Sequence, residues 1–492
     1  MGEQLILFSD QTQFILSSSS DTLTPKTASV VVATEFESST QALPVGSGNS
    51  IYYLTKKGLF AGVREYVTQK DVDIKDASDI TIHIPKYIPA NIFKLAASTS
   101  EDVLVLLGTD NPNKIYINRW LYGDNFQKIL NSWSTFSINS SRSILNIDFI
   151  NSDLYMVIRN SDNVTSLEKL PFEPDYTETN ATFQYHLDHK VTEATTGVSV
   201  DYPISAQLAG ETAAKNRTRW TLPYKTYADM VALGRYLASD ETSIYKPSPH
   251  STVAIYSSSY SNPTTTVTIT KTGHGFKTGD LIAVTKTSGS INSGNFVITY
   301  INDDSFKYTV TADEGSNTDE GCTIDLAFNL KPGQQIKTIT ASTSGASTYV
   351  YSDLDVDYRS AKVIIGEPYE MQYRFSQQRL TEQTPGASAG GEFISGRLQL
   401  HHFYLKYEDT GFFKVEVTPE NRDTSTYKFT GQLLGSESST IGQINLETGT
   451  FKVPVMSKSD RVDIDIKNNT FLPTQLSSAE YEARFHMRSR RI

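Results

Sequence analysis

Apolar and polar positions alternate in a repeating block along the first 170 residues. LILFSDQTQFILS (5–17), IYYLTKKGLFAGVREY (51–66), VLVLLGTDNPNKIYINRWL (103–121) and LYMVIRNSDNVTSLEKL (154–170) each read as strand, polar turn, strand, because period-two alternation is the mark of a half-buried strand. Their starts lie roughly fifty residues apart, near the length of one four-stranded blade of a β-propeller. ITIHI (80–84) and ILNIDFI (144–150) add strand signals between them. With the first repeat opening so early in the chain, the propeller is expected to be cut short at its front. Either Met1 and Gly2 open a fragment, or the missing strands come from elsewhere in the chain or from a neighbour. Blade-like sheets are expected over residues 1–180.

Beyond residue 181 the pattern changes. FQYHLDHKV (183–191) and WTLPY (220–224) read as short strands of a central mixed β domain whose first part covers 181–247. In YADMVALGRYL (227–237), Met230, Leu233 and Leu237 recur at spacings of three and four, which predicts a helix over one sheet edge. Residues 248–329 read as an inserted module, where TTVTITKTGHGFKTGDLIAV (265–284) and NFVITYINDDSFKYTV (295–310) alternate β-branched residues around the turns GHGF and NDDSF. That pattern predicts a small antiparallel barrel. TYVYSDLDVDYR (348–359) and AKVIIGEPYEMQYRF (361–375) resume the host domain over 330–395, and the small-residue run QTPGASAGGEFISG (383–396) reads as a loop. A C-terminal antiparallel domain follows over 396–492, with strands expected near 396–407, 412–418, 426–434, 449–455 and 462–466 and turns at DTG (409–411) and ETG (447–449). The expected class is all-β and multidomain, with a partial propeller, an inserted barrel and an antiparallel C-terminal domain.

Composition narrows the chemistry. At 492 residues the chain has room for two to four cores, and 27 Tyr and 23 Phe against 3 Trp suit a β-rich protein. A net charge of −11 argues against a basic groove that grips phosphates, although a like-charged wall would let a polyanion slide past. The single cysteine, Cys322, excludes intramolecular disulfides and Cys-rich zinc sites. The N-terminal MGEQLILFSD lacks the basic and long apolar regions of a signal peptide, so the chain reads as made in the cytoplasm without its own export signal.

Each chemical candidate has a plainer reading beside it. On a strand, His186 and Asp188 of HLDH share a face and His189 points away, which suits no metal triad, and the adjacent His401 and His402 point to opposite faces. The acids of DLDVD (353–357) and DIDI (463–466) read as solvated strand faces, with a negative lumen lining as the sharper reading and a glycosidase pair as an enzymatic one. KTGHGFKTGD (271–280) lacks the spacing and following helix of a phosphate loop. No nucleophile motif stands out, Cys322 having no plausible adjacent base, and no cofactor is expected. Arg484, Arg488, Arg490 and Arg491 form the densest basic cluster, read either as a solvated end or as forks that dock on carboxylates of another domain or subunit.

The opening LILFSDQTQFILSSSSDTLTPKTASV, the segment VREYVTQKDVDIKDASDITIHIPKYI with ASTSEDVLVLL behind it, and the C-terminal meander ending in RSRRI together resemble the tail nozzle family (tail tubular protein B) of short-tailed bacteriophages. The opening resembles the middle of the family pattern. The resemblance implies a structural virion protein in the tail: six copies forming a tapering tube beneath the ring-shaped adaptor, tail fibres attached near that junction, and genomic DNA passing down the lumen towards the host cell surface, with loops at the narrow end acting as a gate. It also strengthens the docking reading of the four arginines. The HGFKTGD pattern with its following hairpin resembles a small β module found in phage surface proteins and in ubiquitin-activating enzymes. Two other readings stay open, a glycan-degrading tail enzyme and a receptor- or carbohydrate-binding module using the barrel. Phe276, Phe296, Phe306 and Tyr308 are expected to form the barrel core, not a sugar platform.

Overall fold

The computed structural model describes the chain apart from residues 1–4, 19–23, 68–76, 123–127, 174–182, 209, 236–243, 246–251, 275, 277, 330–332, 343–346, 354–355, 360, 383–390, 393–395, 432–443 and 488–492. Strands make up 63% of it and no helix reaches seven residues among the described residues, so the predicted all-β class holds. Two compact units divide the chain, Met1–Tyr176 and Thr177–Ile492.

The first unit is a run of antiparallel sheets in chain order. β1 (Leu5–Phe8), β2 (Gln13–Ser18) and β3 (Ala28–Thr34) form the first, and β4 (Val45–Ser47), β5 (Ser50–Lys57), β6 (Phe60–Val67) and β7 (Ala77–Asp79) the second. The third comprises β8 (Ile92–Ser98), β9 (Val103–Gly108), β10 (Lys114–Tyr122) and β11 (Lys128–Ser137); the fourth comprises β12 (Arg142–Ile150), β13 (Asp153–Asn160) and β14 (Thr165–Pro171). All four predicted strand–turn–strand blocks are present, as β1–β2, β5–β6, β9–β10 and β13–β14.

Alternation explains how these sheets stack. Ile6 and Phe8 of the first sheet meet Ile51, Tyr53 and Tyr66 of the second. Tyr52, Leu54 and Val63 on the opposite face of the second sheet meet Leu104, Leu106 and Trp120 of the third. Val103, Val105 and Leu107, the other face of the same β9, meet Ile147, Leu154 and Met156 of the fourth. A strand covered on both sides has no polar face to show, which is why VLVLLG is apolar and buried throughout. Each such side chain stabilises the stack by about 1.5–3 kcal/mol. ITIHI departs from expectation. The strand at this point is β7, and residues 80–83 turn away from it, with the Thr81 hydroxyl and amide bonded to Asp79 Oδ1 at 2.6 and 2.9 Å. Asx-type bonding of this kind competes with the ladder.

The second unit begins with two four-stranded sheets. β15 (Asp188–Thr192), β16 (Ser199–Ala206), β17 (Lys215–Leu222) and β18 (Val231–Gly234) precede an insertion, β19 (Ile244–Tyr245), β20 (Thr252–Ser261), β21 (Thr264–Thr270), β22 (Leu281–Lys286), β23 (Gly294–Val297), β24 (Thr299–Asn302), β25 (Ser305–Val310) and β26 (Asn317–Asn329). β27 (Gln335–Ile336), β28 (Thr338–Ser342), β29 (Thr348–Ser352) and β30 (Val363–Glu367) then complete the host sheets, ordered β15-β30-β18-β27 and β16-β17-β29-β28, which pack around Trp220, Met230, Val350 and Ile365.

The helix predicted over 227–237 is absent from its described part: Val231–Gly234 is strand β18. Met230 and Ala232 enter one core and Leu233 the other. A short apolar run fits both periods, and pairing on both edges, with β30 and β27, selects the strand. The strand predicted over 183–191 is likewise shorter, since Phe183, Tyr185 and Leu187 are buried ahead of β15 while the His186 amide donates to Phe471 O of a loop at 2.9 Å.

The insertion leaves after β18 and returns at β27, its hydrogen-bonded neighbour. Its sheet runs β23-β22-β26-β20-β21-β25-β24 with β19 paired to β26. Only Ile298 separates the two end strands β23 and β24, so the sheet must curl, and it forms a nearly closed barrel. Tyr256, Val267, Ile269, Phe306 and Tyr308 fill it, with Phe276 and Phe296 packed against them, as the alternation predicted.

The C-terminal sheets are β31-β38-β35-β36 and β37-β34-β39, built from β31 (Met371–Arg374), β34 (Gly396–Thr410), β35 (Phe412–Pro419), β36 (Ser425–Thr430), β37 (Glu447–Lys458), β38 (Val462–Asn468) and β39 (Gln475–Met487), with a small pair β32 (Thr381–Glu382) and β33 (Gly391–Glu392) between. Phe403, Phe413, Phe429, Val453 and Ile464 share one core. ETG lies inside β37 instead of forming a turn, and β39 was not foreseen.

Candidate functional site: ion-pair clusters and uncovered faces

The buried polar clusters join strands. In the first unit, Glu65 of β6 accepts from Ser50 Oγ at 2.8 Å and Tyr52 Oη at 3.0 Å through Oε1, while Lys128 of β11 reaches Glu65 Oε2 at 2.7 Å and Tyr52 Oη at 2.9 Å. The Lys128 ammonium also lies 4.4 Å from the Trp120 ring centroid. Burial lowers the Lys128 pKa, and the contact with Glu65 offsets part of that. The second and third sheets are thereby tied by a buried ion pair. Arg142 and Glu168 do the same within the fourth sheet. In the second unit, fully buried Arg217 donates to the carbonyls of Ser352 and Asp353 at 2.9 and 3.1 Å and pairs with Glu211. The Glu211 carboxyl is held down to about 2 by the Leu208 amide and by Arg217.

The residues singled out in the sequence fall into this pattern. Asp353 pairs with Lys337 at 2.6 Å and Asp357 with Arg359 at 2.7 Å. Asp463 and Asp465 share a strand face, but the reading of that face as solvated is corrected: Asp465 is buried and held by both arms of the Arg374 fork at 2.7 Å. Arg374 holds its carboxyl below the usual range.

His186 lies ahead of β15 and not on it. His189 sits at φ +50° where the β15 ladder is interrupted, and stacks on Tyr224 at 3.8 Å. His402 meets Glu482 at 3.0 Å, whereas His401 is the extra residue of a bulge between β34 and β39.

In the 271–280 loop, the amides of Lys271, Gly273 and His274 donate to Asp303 and Asp304, so they cradle no phosphate. Cys322 is buried in β26, where desolvation pushes its thiol to about 11. Among the described residues no group of three or more His, Cys, Asp or Glu is placed to hold a metal, and no helix is long and apolar enough to cross a membrane.

Of the four C-terminal arginines, Arg484 lies exposed on β39 opposite Gln399 and makes no ion pair with a described residue. Arg488, Arg490 and Arg491 lie outside the described residues.

The feature that sequence reading missed is an apolar face that is exposed among the described residues. Cross-strand partners share a face, and the register Leu5–Leu16–Val30 and Leu7–Phe14–Val32 sets six apolar side chains on the side of the first sheet turned away from the second. Leu5, Leu7, Val30 and Val32 are 41–58% exposed. The outer face of the fourth sheet mixes Asn146, Asp148, Arg159 and Lys169 with Ile150, Tyr155, Val157 and Leu167. The alternation in LILF was visible, but nothing in it told which half would be covered.

Stacked blade-like sheets, an inserted barrel and ion pairs that serve as ties define a multi-sheet β protein. The sequence model of the Bacteriophage nozzle protein family matches residues 1–285 and 292–492, and the chain belongs to that family, making it a component of a phage virion tail. It is similar to the tail tubular protein gp12 of Escherichia phage T7, 24% identical over 493 residues that cover 99% of this chain and 48% of gp12. The chain thus spans about half the length of that relative. Among solved structures, an exo-beta-1,3-galactanase from Phanerochaete chrysosporium aligns with 98% of this chain and 100% of its own at 8% identity and a TM-score of 0.20. SGBP-B from a xyloglucan utilization locus in Bacteroides uniformis covers 72% of this chain and 97% of its own at 8% identity and a TM-score of 0.09. Superpositions that loose carry no argument.

Proposed function

We propose that this chain forms part of the wall of a tail conduit through which the phage genome leaves the particle. The observation that carries the reading is the family match along almost the whole chain. In this reading six copies surround a lumen beneath an adaptor, tail fibres attach near that junction, and loops at the host-facing end close the passage before infection. The net charge of −11 supports a wall from which a polyanion is repelled. The function is structural and not enzymatic: Asp353, Asp357 and Asp465, the acids that a hydrolase reading would recruit, are engaged by Lys337, Arg359 and Arg374.

Particle images of tails averaged without imposed symmetry test the reading, with six copies around an open channel as the expected result. A single copy per tail refutes it. Purified assemblies are expected to release duplex DNA at moderate salt, and reducing ends freed from host polysaccharide by the protein would establish the enzymatic alternative instead.

A further inference from the structure

The three-stranded sheet β37-β34-β39 carries its charge unevenly along its length. In the middle of its outward face the charges are paired, Lys406 with Glu480 at 2.9 Å and His402 with Glu482 at 3.0 Å, and Lys452 lies 5.3 Å from the Tyr404 ring centroid. At one end the same face turns basic. The register sets Lys458 and Arg484 on either side of Gln399 and His486 beside Arg397. Arg397 donates to Gln399 Oε1 at 2.7 Å, and none of Arg397, Lys458 and Arg484 meets a carboxylate among the described residues. Asp460 is the acid of the adjoining turn Ser459–Arg461, where Arg461 pairs with Glu420 at 3.4 Å.

At the other end the sign reverses. Glu408 and Asp409 lie in the last turn of β34 and Glu447 opens β37; Glu408 and Asp409 are exposed and meet no cation among the described residues. Lys414 of the following strand is taken by Glu416 and Glu370 at 3.3 and 3.7 Å. The two ends cannot neutralise each other, because the twelve residues of β37 at 3.3 Å each hold them about 36 Å apart. The adjoining segments outside the described residues have the wrong composition to do so. FIS (393–395) and RSRRI (488–492), at the basic end, contain no acid, and QLLGSESSTIGQ (432–443), which leads into β37, contains no lysine or arginine.

The geometry points to a second copy of this chain as the occupant: the basic end of this sheet in one copy docks head to tail on the acidic end of the same sheet in the next. Charge complementarity selects that partner, since one sheet carries both halves of the contact, and guanidinium forks suit carboxylates. A contact between unlike ends is heterologous, the kind that closes into a ring when the rotation allows. Two copies repel through their net charge of −11, but that field is screened beyond about 10 Å at 0.1 M salt, whereas docked pairs lie closer. The inference rests on the reading that several copies surround a lumen, and adds which surfaces meet.

Phage carrying Arg484→Glu or Glu408→Arg test this. Both side chains are exposed, so the melting temperature of the isolated chain is expected to stay unchanged, while the like-charged contact lowers incorporation into tails about tenfold or more. Combining the two substitutions restores opposite charges at every contact between copies and is expected to recover incorporation; the separation of the two ends excludes a pair inside one copy. In assembled tails, a chain carrying Arg484→Cys and Glu408→Cys, bridged by a short bis-maleimide while buried Cys322 stays unlabelled, is expected to give a ladder of linked copies. No recovery in the double reversal, no ladder, a cross-link to a different polypeptide, or normal incorporation of both single variants overturns the proposal. Retention of duplex DNA by the unaltered chain that Arg484→Glu abolishes overturns it as well, by giving the basic end to a polyanion. Several copies around a channel without recovery in the double reversal refute this contact alone; one copy per tail refutes both it and the conduit.

Discussion

The stacked sheets of the first unit and the barrel of the second solve the same problem in opposite ways. The barrel curls until its end strands are separated by one residue, so a single core collects the inward apolar side chains, and the outer face carries Thr266 and Thr268 beside exposed Val253 and Ile255. Its sequence shows this as strict alternation, TTTVTIT, with every second residue buried. A stack instead buries both faces of its inner sheets and leaves two end faces over. One of them here is apolar and the other mixes charged with apolar side chains. Closure makes a module self-sufficient; stacking makes it dependent on what lies at its ends.

The largest expected effect comes from breaking the tie inside the stack. Glu65→Ala leaves the Lys128 charge buried without its partner, which costs about 3–5 kcal/mol, and denaturant unfolding of the isolated chain should show the loss. In the barrel, Ile269→Ala opens a cavity in the one core and costs about 2–5 kcal/mol. The readout is Cys322: its buried thiol, raised to about 11, is protected at pH 8, and labelling of the variant should accelerate as the barrel opens more often.

A smaller effect is a pH dependence whose acid arm is read in the stack. For Asp79 in the stack burial pushes the pKa up, but hydrogen bonds from Lys57 and Thr81 outweigh it and the net shift is downward. A depressed folded pKa contributes stability above the unfolded value of about 4, lost as pH falls through the folded value. Asp79→Asn should therefore flatten the acid side of the stability profile. Barrel groups Tyr256, Tyr300, Tyr308 and Cys322 shift the other way, chiefly through burial for all but Tyr300, where Asp303 leads, and burial raises Tyr52, Tyr66, Tyr116 and Tyr122 of the stack in the same direction. Raised values hold stability below the unfolded pKa and release it as pH rises through the folded one, so their contribution is lost on the alkaline side. Smallest of all, Thr268→Val on the outer barrel face should change stability by no more than about 0.5 kcal/mol, whereas the same polarity change inward, Val267→Thr, should cost more. Equal effects at 267 and 268 would show that the alternation does not set the two faces.

Strands with a dry side were legible because burial leaves a periodic mark. β39 was not, since its residues are mostly exposed and the ladder to β34, with Lys406–Glu480 and His402–Glu482 contacts, holds it in place. β18 was misread for the reverse reason: Met230 to Gly234 are apolar on all sides, and a run without a polar face has no period to distinguish helix from strand.

By itself the sequence determined the all-β class, the four strand pairs of the stack, the barrel with its aromatic core, and the kinship carried by its opening and its C-terminal meander. Those properties reside in alternation and local turn chemistry, which neighbouring residues along the chain dictate. Only the tertiary structure decided that Glu65 lies beside Lys128, 63 residues on, that Asp465 is gripped by Arg374 instead of facing water, and that Leu5 and Leu7 look outward while Ile6 and Phe8 look in. Which face of a sheet is covered depends on what packs against it, and a strand of alternating Leu, Ile and Phe carries no record of its neighbour.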